Sequence, residues 1–87
     1  MSSNETDSVI REVLAQHGHL AVDASQLGDE SDLYEAGLTS HASVNVMLAL
    51  EDAFDVEFPE RVLRKSTFAS IASIREVVDE LTVAVAG

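Results

Sequence analysis

The sequence predicts an all-α protein, a small bundle of three longer helices and one short helix. Apolar residues recur at helical spacing in three separate stretches, and no stretch alternates apolar and polar residues for long enough to predict a strand. The chain has 87 residues, which suffices for one modest core but not for a deep catalytic cavity as well. We therefore expect one domain over residues 1–87, with an ordered core over about residues 4–82.

The first helix is predicted over residues 4–17, between a cap at Asn4 or Thr6 and a stop at Gly18. Residues 19–38 then form a long connection that is rich in Asp, Ser and Gly. Its apolar residues are expected to reach the core and hold it in place. The apolar stripe of the helix consists of Val9, Ile10, Val13 and Leu14. The apolar residues of the connection are Leu20, Val22, Leu27, Leu33, Tyr34 and Leu38.

The second helix is predicted from Thr39 or Ser40 to Phe54. Val44 and Leu48 lie beside its core-facing stripe, so we expect an exposed apolar pair close to Ser40. The core-facing stripe itself consists of Val46, Met47, Leu50 and Phe54.

Pro59 is suited to the first turn of a short helix, which is predicted over residues 60–65. The last helix is predicted from Ala69 or Ser70 to Thr82, with frayed residues after it. Its inward-facing residues are Ile71, Ile74, Val77, Val78 and Leu81.

The charge of the chain limits its partners. Sixteen acids and five bases give a net charge of −11, and no Lys or Arg occurs between Glu12 and Glu60. Nucleic-acid binding needs the opposite sign, so we exclude it. The acids either keep the surface soluble or steer basic partner proteins towards it. The polar N-terminus is unlike a signal peptide and no apolar run could span a membrane, so we expect a cytoplasmic protein without membrane contact.

Catalytic and metal-binding patterns are weak. Ser40 and His41 are adjacent, and neighbouring side chains on a helix diverge by about 100°, which makes a poor nucleophile and base. The acidic loop over residues 23–34 has the length of an EF-hand but ends in Tyr34, where a bidentate Glu is needed. The chain has no Cys, and its three His lack zinc spacing. We expect neither an enzyme nor a metal site, and Ser40 is left as either a helix cap or a point of attachment.

Residues 37–59 resemble the central segment of the acyl and peptidyl carrier protein family. That family shows a glycine, an apolar residue and Asp-Ser-Leu, then an apolar-patterned helix and an acidic turn that ends in Phe, an apolar residue and Pro. The helix plan and the acidity are similar as well, so the resemblance extends over about residues 27–81 and implies an acyl-carrier-protein-like bundle. The residues in register are Gly37, Leu38, Ser40, Val44, Val46, Leu50, Glu51, Phe54, Val56, Phe58 and Pro59.

The resemblance implies that Ser40 carries a covalent 4′-phosphopantetheine, which a phosphopantetheinyl transferase moves from coenzyme A. The thiol of this group would hold a cargo as a thioester, in a chain that has no cysteine of its own. Thr39 and His41 stand where the family usually has Asp and Leu. The implied partner-docking face around the serine consists of Thr39, His41, Val44, Asn45, Leu48 and Glu51.

Three runs, residues 32–40, 54–59 and 67–71, are more similar to free-standing bacterial carriers of small amino acids. Those carriers are loaded by adenylating ligases that resemble class II aminoacyl-tRNA synthetases, and they pass the amino acid to downstream acceptor enzymes. A second docking surface would then consist of Arg61, Arg64 and Lys65. Two alternatives stay open: an acyl carrier protein of fatty-acid or polyketide synthesis, and an unmodified acidic interaction module in which Ser40 is only a cap.

Overall fold

The computed structural model describes residues 3–86, and the side chains within residues 5–82 apart from residue 25. Over that part of the chain the secondary structure is helical and contains no strand, which confirms the all-α prediction. None of the helices found there combines the length and the apolarity needed to cross a membrane. The α-helices are α1 (Ser3–His17), α2 (Ser40–Phe54) and α3 (Ile71–Ala86).

The prediction of a short fourth helix is wrong. Two separate 3-10 turns, Glu60–Val62 and Lys65–Phe68, take its place. The carbonyl of Val62 accepts hydrogen bonds from the Arg64 N–H (2.9 Å) and from the buried Thr67 hydroxyl (2.6 Å). Because this carbonyl is already engaged, it does not accept the i+4 N–H that would continue an α-helix.

α1 begins at Ser3, before both of the residues predicted to cap it. Asn4 and Thr6 therefore lie inside the helix, and the capping prediction for them is wrong. The helix ends at His17, and Gly18 follows it as predicted.

α3 begins behind a reciprocal cap. Ser70 Oγ accepts from the Ser73 N–H (3.1 Å), and Ser73 Oγ accepts from the Ser70 N–H (3.1 Å). The two side chains satisfy N–H groups that have no partner within the helix. The predicted start therefore holds to within a residue, and the helix continues past Thr82 to Ala86. The last residue of the chain lies outside the described range.

The helices enclose one apolar core, and the long connection over residues 19–38 contributes to it. Leu33 and Leu38 are buried, which confirms that they anchor the connection, whereas Val22 is 46% exposed and does not. The side chains with the least exposure are Ile10, Leu14, Leu33, Val46, Leu50, Ile71, Ile74 and Val78.

Arg11 of α1 fixes the same connection through its guanidinium. Its Nη1 donates to the carbonyls of Ala24 (2.8 Å) and Leu27 (2.6 Å). One side chain therefore donates to two carbonyls of the connection.

Arg11 also belongs to a cluster of ion pairs with Asp7, Asp29 and Arg75, here called the Arg11–Arg75 cluster. Asp7 accepts from both guanidinium groups (2.9 Å each), and Asp29 lies 3.1 Å from Arg11 and 3.3 Å from Arg75. Burial acts to lower the pKa of Arg75, but Asp29 and Asp7 outweigh it and raise that pKa. The cluster ties α1, the connection and α3 together.

Candidate functional site

Three hydroxyl residues stand at the start of α2, and their oxygens have different surroundings. Thr39 is the N-cap, since its Oγ1 accepts from the Ala42 N–H (3.0 Å). The Ser43 hydroxyl donates to the carbonyl of Ser40 (2.7 Å). The Ser40 hydroxyl is exposed and forms no hydrogen bond with any residue that the structure describes. Thr39 therefore caps α2, and the interpretation of Ser40 as the helix cap is wrong.

The backbone around Ser40 is suited to an anion. Ser40 and His41 are the first residues of a 15-residue helix. Their N–H groups come too early in α2 to have an acceptor within it, and they lie at the positive end of the helix dipole. An anionic group on the Ser40 oxygen would lie next to these donors.

Ser40 lines a cavity of about 320 Å³, here called the Ser40 cavity. Its walls come from one face of α2, from Tyr34 of the long connection and from the segment over residues 63–68. The lining combines apolar, hydroxyl and cationic side chains, so it offers both apolar and polar contacts to a ligand. The lining residues are Tyr34, Ser40, Ser43, Val44, Met47, Leu63, Arg64, Lys65 and Phe68.

Tyr34 and Lys65 contact each other beside this cavity. The Tyr34 hydroxyl donates to the Lys65 carbonyl (3.0 Å), and the Lys65 ammonium lies 5.1 Å from the centre of the Tyr34 ring. Burial and the charge of Asp32 raise the pKa of Tyr34 above its ordinary value of 10.0. The phenol therefore stays protonated at neutral pH and keeps donating to the backbone, which fixes Lys65 relative to the connection.

The three bases predicted to form a second docking surface do not share one environment. Arg64 and Lys65 line the Ser40 cavity, and Arg64 Nε donates to the carbonyl of Arg61 (3.0 Å). Arg61 does not line the cavity and forms an exposed ion pair with Glu80 (2.8 Å). The structure thus brings two of these bases to Ser40 and leaves the third on the side of α3.

The predicted docking face on α2 is exposed at its apolar pair. Val44 is 51% exposed and Leu48 is 53% exposed, which confirms the exposure predicted for them. His41 and Thr39 are also exposed. Asn45 is half-buried and lines, together with Leu48, a groove of about 590 Å³ between α1 and α2. The face therefore extends from the Ser40 cavity to this groove.

Glu51 differs from the other residues of that predicted face. Its Oε2 accepts a hydrogen bond from the Phe58 N–H (2.8 Å), so the carboxylate points into the structure that follows α2. Its interior hydrogen bond gives Glu51 a structural role that the sequence did not suggest.

Five cavity residues were not predicted as part of a site: Tyr34, Ser43, Met47, Leu63 and Phe68. For Met47 a signal exists in the sequence, because positions 40, 43, 44 and 47 share one face of a helix. Tyr34, Leu63 and Phe68 come from irregular segments, where no periodicity indicates which side chains meet. The approach of these segments to α2 is a property of the folded chain.

The chain matches the model of one known family, described as the phosphopantetheine attachment site, over residues 8–81. It is also 49% identical over 72 residues to an aminoacyl carrier protein of Agrobacterium fabrum, an alignment that covers 83% of this chain and 87% of the relative.

Solved structures give similar results. One is a crystal structure of an engineered Bradyrhizobium japonicum glycine:[carrier protein] ligase complexed with carrier protein from Agrobacterium tumefaciens and AMP. The match there has a TM-score of 0.81 and 48% identity, and covers 84% of this chain and 97% of the other.

A second match is to a crystal structure of Bradyrhizobium japonicum glycine:[carrier protein] ligase complexed with glycylated carrier protein. It has a TM-score of 0.70 and 27% identity, and covers 82% of this chain and 95% of the other. Both matches confirm the acyl-carrier-protein-like fold. Because the family model spans most of the chain and Ser40 lies within the matched residues, the chain belongs to the phosphopantetheine attachment site family of carrier proteins.

Proposed function

We propose that this protein carries a small amino acid as a thioester on a 4′-phosphopantetheine attached to Ser40, and that it is itself no enzyme. The observation that carries this proposal is the state of the Ser40 hydroxyl. Thr39 and Ser43 use their hydroxyls in the helix, whereas that of Ser40 is exposed and has no partner in the described structure. It lies beside a cavity and at the end of a helix that favours an anion.

Attachment needs little from the chain beyond position. A phosphopantetheinyl transferase would join the Ser40 oxygen to the phosphorus next to the pantetheine unit of coenzyme A. The phosphorus–oxygen bond of the pyrophosphate breaks, adenosine 3′,5′-bisphosphate leaves, and the hydroxyl proton passes to a base of the transferase. The N–H groups of Ser40 and His41 would face the phosphodiester that results.

When bound, the group supplies the thiol that holds the cargo, and the sequence of this chain contains no cysteine that could do so. The proposal of an amino acid cargo rests on the relatives, which include an aminoacyl carrier protein and a glycylated carrier protein in complex with a glycine:[carrier protein] ligase. We propose a cytoplasmic adenylating ligase of that kind as the loading partner. It would dock on the face with Thr39, His41, Val44, Asn45 and Leu48, from which downstream acceptor enzymes would also take the amino acid.

The attachment is tested by intact mass spectrometry after incubation with coenzyme A and a phosphopantetheinyl transferase. We expect the wild type to gain the mass of one phosphopantetheine and Ser40→Ala to gain none. Ser43→Ala removes a neighbouring hydroxyl from the same helix and should still be modified. Modification of Ser40→Ala, or an unchanged mass of the wild type, would overturn the proposal.

The alternative of an unmodified interaction module is tested on the same variants by urea unfolding. Loss of an N-cap hydroxyl costs about 1 kcal/mol, so Thr39→Ala should lower the free energy of unfolding by that amount. Ser40→Ala should leave it nearly unchanged. An equal loss in both variants would favour the unmodified interaction module.

The nature of the cargo is tested on the modified protein. It is offered amino acids with ATP and an adenylating ligase, and in parallel malonyl- or acyl-coenzyme A with an acyltransferase. We expect a mass gain of one small amino acid in the first reaction. Loading in the second reaction alone would assign the protein to fatty-acid or polyketide synthesis.

A further inference from the structure

The five bases of this chain fall into two groups. Arg11 and Arg75 are paired within the Arg11–Arg75 cluster, and Arg61 is paired on the surface. Arg64 and Lys65 form no salt bridge with any residue that the structure describes, although the chain holds sixteen acids.

Both of these bases line the Ser40 cavity. The bond from Arg64 Nε to the Arg61 carbonyl leaves the two terminal nitrogens of the guanidinium to face other groups. The Lys65 ammonium is held near Tyr34, which lines the same cavity. The two cationic side chains and the proposed attachment oxygen therefore belong to one site.

We infer that Arg64 and Lys65 form a binding site for the phosphodiester on Ser40. This inference rests on the proposed function. A phosphodiester carries one negative charge, and its two free oxygens match the paired donors of a guanidinium. The N–H groups of Ser40 and His41 add backbone donors to the site. The base of the prosthetic group is thereby held against the cavity, instead of swinging freely from α2.

This role differs from the docking surface that the sequence suggested for the same two bases. A partner attracted by the sixteen acids is itself basic, and Arg64 and Lys65 would repel it. An anion tied covalently to Ser40 has a high effective concentration at the two bases and needs no such attraction from a distance. Charge complementarity thus favours the internal ligand.

The inference is tested by ³¹P NMR on the modified protein, after intact mass has shown that each sample carries the group. We expect the phosphodiester resonance of the wild type to be broader than that of the Arg64→Gln/Lys65→Gln variant and displaced from it. In about 1 M NaCl, where the Debye length is about 3 Å, the wild-type resonance should move to the position of the variant.

Arg61→Gln is the matched control, because it removes a cation from the same segment. The Arg61 side chain pairs with Glu80 and does not line the cavity. This variant should leave the resonance unchanged. A double variant with wild-type shift and width overturns the inference, as does an equal displacement in Arg61→Gln. If the transferase does not modify the double variant, the inference is tested by the salt titration of the modified wild type alone. A wild-type phosphodiester resonance that does not move up to about 1 M NaCl overturns the inference. An unmodified wild type overturns the proposed function itself, before any spectrum is recorded.

Discussion

Glu51 holds together the end of α2 and the segment that follows. Its backbone carbonyl accepts from the Val56 N–H (3.1 Å), and its carboxylate accepts from the Phe58 N–H (2.8 Å). Asp55, between them, adopts the left-handed conformation with φ of 54° and ends the helix. Phe58 is thereby placed to stack on Phe68, with ring centres 6.2 Å apart.

We expect Glu51→Ala to lower the free energy of unfolding by roughly 1–2 kcal/mol, because the partly buried Phe58 N–H loses a charged acceptor. The measurement is urea denaturation followed by circular dichroism. Asp52→Ala is the matched control, since Asp52 is the next acid of the same helix and is exposed. Equal losses in the two variants would mean that the Glu51 carboxylate contributes no more than general surface charge.

The role of Glu51 shows what could not be predicted at the scale of one residue. Its place on α2 indicated a surface acid close to Leu48, and the helical pattern supports that interpretation. Its hydrogen-bond partner depends on the backbone turn at Asp55. Asp55 has a positive φ although it is not a glycine, and the sequence does not indicate this conformation. The position of Ser40 at the start of α2 was predictable for the opposite reason, because the start of a regular helix follows from its apolar pattern.

At the scale of elements, α2 presents two surfaces. One buries Val46 and Leu50, and the other exposes Val44 and Leu48. Both followed from helical periodicity, and so did the bounds of α1 and the start of α3 to within a residue or two. The two 3-10 turns that replace the predicted short helix could not be foreseen in this way, because the Thr67 hydroxyl donates to the Val62 carbonyl and no pattern in the sequence indicates that bond.

The exposed pair on α2 leads to a prediction about the ligase. We expect Val44→Gln together with Leu48→Gln to weaken binding of an amino acid:carrier protein ligase about tenfold, which corresponds to about 1.4 kcal/mol of lost apolar contact. The dissociation constant is measured by calorimetry at one fixed salt concentration. Val22→Gln is the matched control, since Val22 is 46% exposed and lies outside α2. A similar loss in the control would remove α2 as the docking face.

At the scale of the whole molecule, the charge is the property that the sequence predicts most directly. The sequence could not show which of the five bases form ion pairs within the fold and which line the Ser40 cavity. Asp7 and Arg75 are far apart in sequence, as are Arg61 and Glu80, and the fold brings each of these pairs into contact. The same fold brings Arg64 and Lys65 to Ser40.

The net charge leads to a prediction about the association rate constant of the protein with a basic ligase. We expect the association rate constant, measured by stopped-flow fluorescence, to fall roughly tenfold between low salt and about 1 M NaCl, because salt screens long-range attraction. Replacing the exposed acids Asp55 and Glu57 by Asn and Gln should flatten this dependence. A rate constant that is independent of salt would show that the acids serve solubility alone.

The Arg11–Arg75 cluster also has a consequence for the order of folding. Asp7 and Arg75 are separated by 68 positions, whereas the bonds within each helix join residues four apart. Contacts between distant residues form late, because closing a long loop costs more entropy than forming a helical turn. We therefore expect α2 and the bonds from Arg11 to the connection to form before the ion pairs of Arg75. In a chain that is still being synthesised on the ribosome, the helix that presents Ser40 would then form before the ion pairs of Arg75 join α3 to α1 and to the connection.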